Sequence, residues 1–455
     1  MKAMKKLPLW MGLTGLCFFL SGCEDYLAEK PSSSLAIPSS VRDFQALIDY
    51  QARMNEYYPE SGDIAADYYY LTETDWGARS DHARDTYVWK ADVDSEQDWA
   101  VCYEKIFYAN VVLEGIDDAL LDGLGEPDRQ QAKGAALFIR GWTYYHLSQL
   151  FVPQYRRDEE SSGYGLPLRF TPDINAPTER STVGDTYRQI EADLKQAAQL
   201  LPERAALATR PSKAAAYAAL ARLYLTMGRY DDALEASDSC LAIQSELMDY
   251  NTLDANQANS FAELNPEVIF NAMLSGLSGV HAAARARVDT VLYSSYDEDD
   301  LRRYLFFDTR ADGSLQFKGS YYGNIHSVFA GLAVDEVYLI KAESLIRTRR
   351  REDGVRILDE LLARRWQTGT YVARQVATDE QALRMVLEER EKELVFRGGI
   401  RWSDLRRLNA AGFLVTTLKR TLGGVDYLLE ANDPRYTFLI PSSVIGQNNI
   451  VQNLR

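Results

Sequence analysis

The segment 388–393 holds the residues of this sequence best suited to acid–base chemistry. It reads Glu-Glu-Arg-Glu-Lys-Glu, and paired carboxylates hydrolyse glycosidic bonds. Basic residues interleave with the acids, however, and Glu389 and Glu393 have the four-residue spacing of an ion-paired helix. We therefore expect a structural network of ion pairs here and no catalytic pair. A hydrolase that uses carboxylates of residues 244–330 is the alternative.

Other catalytic and metal-binding patterns are absent from the sequence. Its four histidines are not spaced as metal ligands, and the zinc-protease, serine-hydrolase, phosphate-loop and EF-hand motifs do not occur. The acidic run 297–300 could bind calcium, but acids that precede Leu301 are also typical of a solvated helix start. We expect no catalytic residue, no metal and no cofactor, and so a protein that is not an enzyme.

Aromatic residues beside polar ones are the remaining candidates for a binding site. Tyrosine outnumbers phenylalanine 28 to 16, and a ring with a polar tip suits a half-exposed contact surface. Such surfaces bind sugars, peptides or proteins, although core packing is the alternative for each ring. We predict stacking by the aromatic residues, and hydrogen bonds to ligand hydroxyls from the Asp and the Asn. The predicted ligand contacts are Tyr70, Asp75, Trp76, Trp89, Tyr296, Tyr321, Tyr322 and Asn324.

The N-terminus has the features of an export signal. Three lysines precede an apolar run at 7–20, and Leu-Ser-Gly then leads to Cys23. This pattern is typical of a secretory signal peptide, and the run is shorter than the roughly 20 residues that span a bilayer. Cys23 resembles the acylated cysteine of bacterial lipoproteins, and Glu24 and Asp25 resemble a surface-export signal. We predict a signal peptide at 1–22; an ordinary secretory signal with a chance cysteine is the alternative.

Charge and cysteine content restrict the class of protein further. The 455 residues contain 50 basic and 66 acidic side chains, a net charge of −16. Without a basic stripe, a chain this acidic is repelled by phosphate backbones, so nucleic-acid binding is excluded. Of the cysteines that would remain after lipidation, Cys102 and Cys240 lie in helical contexts. We expect two buried free thiols, with a disulfide as the alternative for an exported protein.

Helices predominate from about residue 94 onward. Apolar residues recur there at three- and four-residue spacings, and Pro127, Thr182 and Ser212 are predicted to begin helices. The run Gly-Arg-Tyr-Asp-Asp-Ala at 228–233 resembles a tetratricopeptide turn. The pattern predicts a mainly α fold built on tetratricopeptide-like helical pairs.

Three stretches interrupt the helical pattern: 24–93, 244–330 and 410–455. They are rich in Tyr, Asp, Asn, Ser and Gly and contain short strand-like runs. Long irregular segments that carry many aromatic residues are usually ordered and functional. We therefore expect long loops with minor β hairpins, and we expect ligand recognition to lie in them.

Several sequence blocks occur in a fixed order along the chain. The most distinctive reads Glu-Arg-Glu-Lys-Glu-Leu-Val-Phe-Arg-Gly at 389–398, followed by Arg-Trp-Ser-Asp-Leu-Arg-Arg at 401–407. Other blocks lie at 23–31, 136–147, 165–168, 222–230, 336–343, 438–441 and 452–453. In these blocks the chain resembles the SusD/RagB family of nutrient-binding lipoproteins of the Bacteroidetes outer membrane.

The resemblance implies both an architecture and a role. It implies a single SusD-like domain over 23–455, anchored in the outer membrane by lipid on Cys23 and exposed at the cell surface. It also implies capture of an oligosaccharide, as in starch-binding relatives, and delivery to a TonB-dependent, SusC-like barrel. A peptide-binding member of the family, or a helical-repeat lipoprotein that binds only proteins, are the alternatives.

Overall fold

The computed structural model describes residues 38–455, and Ser40–Arg455 form one compact unit. The predicted signal peptide, the predicted lipidation site Cys23 and the start of the predicted domain lie outside the described residues. Within the described part of the chain, no helix combines the length and the apolar character needed to cross a membrane.

Seventeen α-helices are the main regular elements of the described residues, as the sequence predicts. In chain order they are α1 (Val41–Ile48), α2 (Gln51–Met54), α3 (Ser61–Ala65), α4 (Glu73–Gly77), α5 (Asp81–Tyr87), α6 (Glu96–Gly115), α7 (Glu126–Phe151), α8 (Val183–Leu200), α9 (Lys213–Thr226), α10 (Tyr230–Ile243), α11 (Thr290–Ser294), α12 (Arg302–Leu305), α13 (Val334–Arg347), α14 (Arg351–Leu362), α15 (Asp379–Glu393), α16 (Ile400–Ala411) and α17 (Ser442–Gln447).

Ten short strands form five two-stranded antiparallel sheets within residues 38–455. The strands are β1 (Tyr69–Tyr70), β2 (Tyr164–Pro167), β3 (Arg180–Thr182), β4 (Val268–Phe270), β5 (Arg287–Val288), β6 (Phe307–Thr309), β7 (Leu315–Phe317), β8 (Leu332–Ala333), β9 (Leu418–Leu422) and β10 (Val425–Leu429). The pairs are β1 with β5, β2 with β3, β4 with β8, β6 with β7 and β9 with β10.

Successive long helices pack against each other and form the predicted scaffold of helical pairs. The pairs α6/α7, α7/α8, α9/α10 and α13/α14 are in contact, and α10 packs on α13. Gly228 ends the α9 side of one turn with a φ of +69°, a conformation that costs glycine little. Buried alanines along α9 allow close helix packing. The predicted mainly α, helical-pair fold is confirmed.

The helix starts follow the local signals in the sequence. Thr182 Oγ1 accepts a hydrogen bond from the backbone N–H of Asp185 at 3.0 Å, and Ser212 Oγ accepts one from Ala215 at 3.1 Å. Pro127 lies in the first turn of α7, where its missing N–H costs no hydrogen bond. These caps set the ends of the helices that hold the irregular segments in place.

The described part of the first irregular stretch and the second stretch meet in one small sheet. Strand β1 comes from the first stretch and β5 from the second, with Tyr70 opposite Arg287 and Tyr69 opposite Val288. The β6/β7 hairpin turns at the predicted Asp312-Gly313 position, and β7 packs beside β5. Segments more than 200 positions apart therefore lie side by side.

A fully buried network of ion pairs supports these segments. Glu393 accepts hydrogen bonds from Arg302 Nη1 at 3.0 Å and from Arg365 Nε at 2.7 Å, and all three side chains are buried. Glu389 also binds Arg302. The expected structural role of the acidic segment in α15 is confirmed.

The acidic run before α12 differs from the sequence expectation of a solvated helix start. The Asp300 carboxylate is wholly buried and binds the Arg302 guanidinium through Nε at 2.9 Å and Nη2 at 2.7 Å. The structure corrects the interpretation for this residue, because Asp300 belongs to the buried ion-pair network.

Cys102 and Cys240 are free and buried, so the expectation of two unpaired thiols is confirmed. Burial raises the pKa of the Cys240 thiol to about 12, which keeps it protonated and unreactive near neutral pH.

Candidate ligand-binding face

The sheet formed by β1 and β5 carries an aromatic and a basic side chain on the same side. Directly opposed residues of an antiparallel pair project their side chains to one face, and Tyr70 lies opposite Arg287. The Tyr70 side chain is 40% exposed and Arg287 is half-buried. The predicted contact residue Tyr70 is therefore accessible to a ligand, with a guanidinium beside it.

Helix α4 places Asp75 and Trp76 next to this sheet. Thr72 caps α4, and its hydroxyl donates a hydrogen bond to Asp75 Oδ2 at 2.7 Å. Arg287 Nη1 donates to the same oxygen at 2.7 Å. Partial burial opposes ionisation, but these two hydrogen bonds hold the pKa of Asp75 below its ordinary value. Oδ1 has no hydrogen-bond partner among the described residues and can accept one from a ligand hydroxyl.

Trp76 presents part of its ring to solvent while its polar atom is fixed. Its Nε1 donates to the backbone carbonyl of Arg84 at 3.1 Å, and the ring packs against the aromatic core of the irregular segments. The side chain is half-buried. A ring held in this way loses little conformational freedom when it stacks on a ligand.

A groove of about 200 Å³ lies beside this region. Tyr57, Gly279 and His326 line it, together with neighbouring residues of 273–282 and 327–328. Tyr57 is 36% exposed and has a φ of 60°, which is a strained conformation for an aromatic residue. Arg79 Nη1 donates to the carbonyl of Ser278 at 3.4 Å, so the segment that lines the groove also contacts the α4–α5 loop. We use the term recognition face for Tyr57, Tyr70, Asp75, Trp76, Tyr322, Asn324 and the groove.

The other predicted contacts at this edge are partly accessible. Tyr322 is half-buried, and burial, followed by the nearby Glu56 and Glu263 carboxylates, raises its pKa to about 12. Asn324 is also half-buried, and its Oδ1 accepts the backbone N–H of His326 at 2.9 Å. The Asn324 amide nitrogen has no partner within residues 38–455 and can donate to a ligand.

Three predicted contact residues lie in the core, and the structure corrects their assignment. Trp89 is 4% exposed and its Nε1 donates to the carbonyl of Ala65 at 2.9 Å. Tyr296 is 1% exposed and donates to the Lys392 carbonyl at 2.7 Å. Their rings fill interior space and their polar atoms are already paired, so they do not form a contact surface.

Tyr321 is the third of these residues. Its side chain is fully buried, its hydroxyl donates to Glu267 Oε2 at 2.8 Å, and the Arg397 guanidinium lies 3.7 Å from its ring centroid. Tyr321 is therefore part of the buried ion-pair network and not a ligand contact, whereas its neighbour Tyr322 reaches the surface.

The ligand contacts predicted from the sequence do not include the basic residues of this region. Arg79, Arg285, Arg287 and Arg310 surround Asp75, and all four side chains are half-buried. A usable signal was present, because the stretch 275–288 contains two arginines and no acidic residue in a strongly acidic chain.

The described residues include side chains that can bind a ligand, but few that are arranged as catalytic or metal-binding groups. Residues 38–455 contain no group of three His, Cys, Asp or Glu side chains arranged to hold a metal ion. Within the described part of the chain, Ser61 Oγ lies 3.3 Å from His82 Nε2, a contact that resembles that of a nucleophile and its base. Ser61 is wholly buried, however, so a substrate cannot reach its hydroxyl.

Part of the chain is similar in sequence to known proteins of one family. Residues 25–225 match the family model described as starch-binding proteins associating with the outer membrane. The SusD-like protein P2 of Formosa agariphila is 25% identical over 376 residues, which cover 68% of this chain and 71% of that protein.

Solved structures share the fold over more than nine-tenths of the chain. A putative sugar-binding protein from Bacteroides vulgatus has a TM-score of 0.74 at 20% identity, covering 92% of this chain and 99% of that one. A SusD superfamily protein from Bacteroides thetaiotaomicron also has a TM-score of 0.74, at 21% identity, covering 91% and 100%. The architecture is therefore that of the SusD superfamily. The family-model match over residues 25–225 supports the predicted resemblance to SusD-like proteins, and the solved structures confirm the fold.

Proposed function

We propose that this protein is a surface lipoprotein that captures oligosaccharide at the recognition face and delivers it, chemically unchanged, to a TonB-dependent, SusC-like barrel. The observation that carries the proposal is the exposure of Tyr57, Tyr70 and Trp76 beside a groove in a SusD-like fold. The names of its relatives, which refer to sugar and starch binding, support the same ligand class.

The geometry of the recognition face suits a chain of sugar rings. Aromatic rings at Tyr70 and Trp76 can stack on the C–H faces of sugars, while Asp75 Oδ1 can accept a hydrogen bond from a hydroxyl. Stacking of nucleobases on such rings contributes about 1–3 kcal/mol per ring, and sugar stacking is of similar or smaller order. Two or three stacked rings would therefore contribute about 2–9 kcal/mol before the cost of association is subtracted, so hydrogen bonds must supply part of the affinity.

The proposed location follows from Cys23 and from the family resemblance. Acylation of Cys23 would anchor the chain in the outer membrane, since two or more acyl chains give stable attachment. The barrel partner is part of the proposal because the resemblance to SusD-like proteins implies delivery of the bound ligand to a SusC-like transporter.

Calorimetry on the purified protein tests the ligand class. The panel contains oligosaccharides of different linkage and charge, together with peptides of similar length. We expect a saccharide to bind, and we expect Trp76→Ala and Tyr70→Ala each to weaken it about tenfold, the equivalent of about 1.4 kcal/mol.

The matched control is Phe107→Ala, which removes a ring of similar exposure, 38%, from helix α6. This variant should bind as the wild type does. Equal affinity in the wild type and both face variants would disprove the placement of the site. Binding of peptides alone would reassign the ligand to the peptide class, and binding of neither would favour a protein that contacts only protein partners.

A further inference from the structure

We propose that the saccharide bound at the recognition face carries negative groups, carboxylate or sulfate, held by a cluster of arginines at 79, 285, 287 and 310. This inference rests on the proposed function and specifies its substrate class. The four residues are called the arginine cluster below.

Two members of the arginine cluster converge on one backbone position. A methyl group added at Gly279 would lie 3.0 Å from Arg79 Nη1 and 3.2 Å from Arg285 Nη1. Arg79 donates to the carbonyls of Asp75 and Ser278, and Arg285 donates to the carbonyl of Gly279. Among the residues that the structure describes, neither guanidinium has a carboxylate within 4.0 Å. Two positive charges therefore lie together without a direct ion pair, although the Asp75 carboxylate interacts electrostatically with Arg285.

Arg310 adds a third positive charge, and it forms no ion pair with a carboxylate within residues 38–455. It donates to the backbone carbonyls of Ala283, Ala284 and Ala286, and its Nε is buried without a partner in the described part of the chain. Burial, followed by the positive charge of Arg287, lowers the pKa of Arg310. The carboxylates of Asp312 and Asp75 act in the opposite direction, so burial is the main cause of the lowered pKa.

Arg287 forms ion pairs with the nearby Asp75 and Asp312. Its Nη1 lies 2.7 Å from Asp75 Oδ2 and its Nη2 lies 3.4 Å from Asp312 Oδ2. Glu60 is a third carboxylate of this region, since it accepts hydrogen bonds from Ser275 and Ser278. Four guanidinium groups therefore outnumber three carboxylates. Burial lowers the pKa of His281 to about 4, so this ring adds no charge near pH 7, and the positive excess comes from arginine alone.

This local excess of positive charge contrasts with the acidic molecule as a whole, and it favours an anionic ligand. The protein has a net charge of −16, so its overall field repels anions. A neutral sugar needs no local excess of positive charge, whereas an anionic one does. The planar guanidinium group pairs well with carboxylate and with oxyanions such as phosphate, and sulfate presents the same oxygen geometry. Gly279 lines the groove, which places Arg79 and Arg285 next to the proposed sugar site.

Calorimetry with four probes tests the inference on the purified protein. The probes are a neutral galacto-oligosaccharide, an oligogalacturonate, a sulfated galactan oligosaccharide and an oligoglutamate of similar length. We expect one of the two anionic saccharides to bind at least tenfold more tightly than the neutral one, and the better probe distinguishes carboxylate from sulfate. Raising the salt concentration from 50 to 500 mM should remove most of this preference, because salt screens exposed charges.

Variants test whether the preference for anionic over neutral saccharides depends on the arginine cluster. The double variant Arg79→Gln/Arg285→Gln should lose at least tenfold affinity for the anionic saccharide and change affinity for the neutral one less than twofold. Arg356→Gln is the control, since Arg356 is an exposed arginine of α14 paired with Asp353 and Glu360. The salt dependence is measured on the wild type and remains informative if the double variant does not fold.

Each alternative outcome of the calorimetry leads to a different conclusion. Equal affinity for neutral and anionic saccharides would overturn this inference and leave the proposed function intact. No binding to any saccharide would overturn both. Tighter binding of oligoglutamate than of every saccharide would also overturn the inference and indicate an acidic peptide as the ligand.

Discussion

Replacement of Glu393 by glutamine is the strongest test of how the binding segments are supported. Its carboxylate is fully buried between Arg302 and Arg365 and accepts one hydrogen bond from each, at 3.0 and 2.7 Å. In Glu393→Gln the negative charge is lost, and the new amide N–H₂ group replaces one acceptor oxygen, so it faces one of the two guanidinium donors and cannot pair with it. Both guanidinium groups remain buried.

The expected cost follows from the loss of a buried partner. Removing one member of a buried ion pair typically costs about 3–5 kcal/mol. Because Arg302 keeps Asp300 and Glu389 and Arg365 keeps Glu267, we expect a cost toward the lower end of this range. For a folded unit of this length, that loss corresponds to a decrease in Tm of roughly 3–6 °C, at about 2.1 cal/mol/K of unfolding entropy per residue.

Glu391→Gln is the matched control on the same helix. Glu391 is half-buried and lies 3.0 Å from Arg401, which keeps a second partner in Asp67 at 2.6 Å. Burial raises the pKa of Glu391, so its neutral form is already less costly. We expect this control to lose less than about 1 kcal/mol.

Denaturant unfolding followed by circular dichroism, with a thermal melt as a second measurement, checks the prediction. The free energies of unfolding of the two variants should differ by at least about 2 kcal/mol. If Glu393→Gln lost no more stability than Glu391→Gln, the interpretation of the α15 network as the support of the binding segments would be refuted.

Three further predictions concern buried groups. Burial raises the pKa of both Glu60 and Asp63 to about 7, above their unfolded values. These groups should therefore make stability fall as pH rises from about 4 to 7, and the pH slope of Tm should be smaller in Glu60→Gln and Asp63→Asn. Cys102 and Cys240 are fully buried, so a thiol reagent should label neither in the native protein and both after unfolding; labelling of the native protein would contradict their burial. Trp89→Ala should cost about 3–5 kcal/mol of stability, as for a core aromatic, and denaturant melts would contradict its core position if stability were unchanged.

The sequence determined the helical scaffold because its signals are local. The cap at Thr182, the cap at Ser212 and the proline at 127 each act within one helical turn, so nearby residues are enough to identify them. The turn at Gly228 was recognisable for the same reason. The order of the sequence blocks also indicated the resemblance to SusD-like proteins, which depends on short local motifs and on no tertiary contact.

Part of the binding region was predicted and part was not. The sequence placed recognition in the irregular stretches, and Tyr70, Asp75, Trp76, Tyr322 and Asn324 are indeed accessible or half-buried there. Whether they contact a ligand remains a prediction. Residue type alone could not distinguish them from buried rings, because a tyrosine with a polar tip suits either a surface or a polar core.

Only the tertiary structure decided which aromatic rings are exposed and which charged side chains lie close together. Tyr321 is buried and Tyr322 is not, although they are adjacent, because Glu267 and Arg397 pack around the first ring. Asp75 and Arg287 lie 212 positions apart, and the pairing of β1 with β5 brings them together. Irregular segments have no sequence periodicity that predicts their neighbours, so both the groove and the excess of arginine charge arise from contacts between distant parts of the chain.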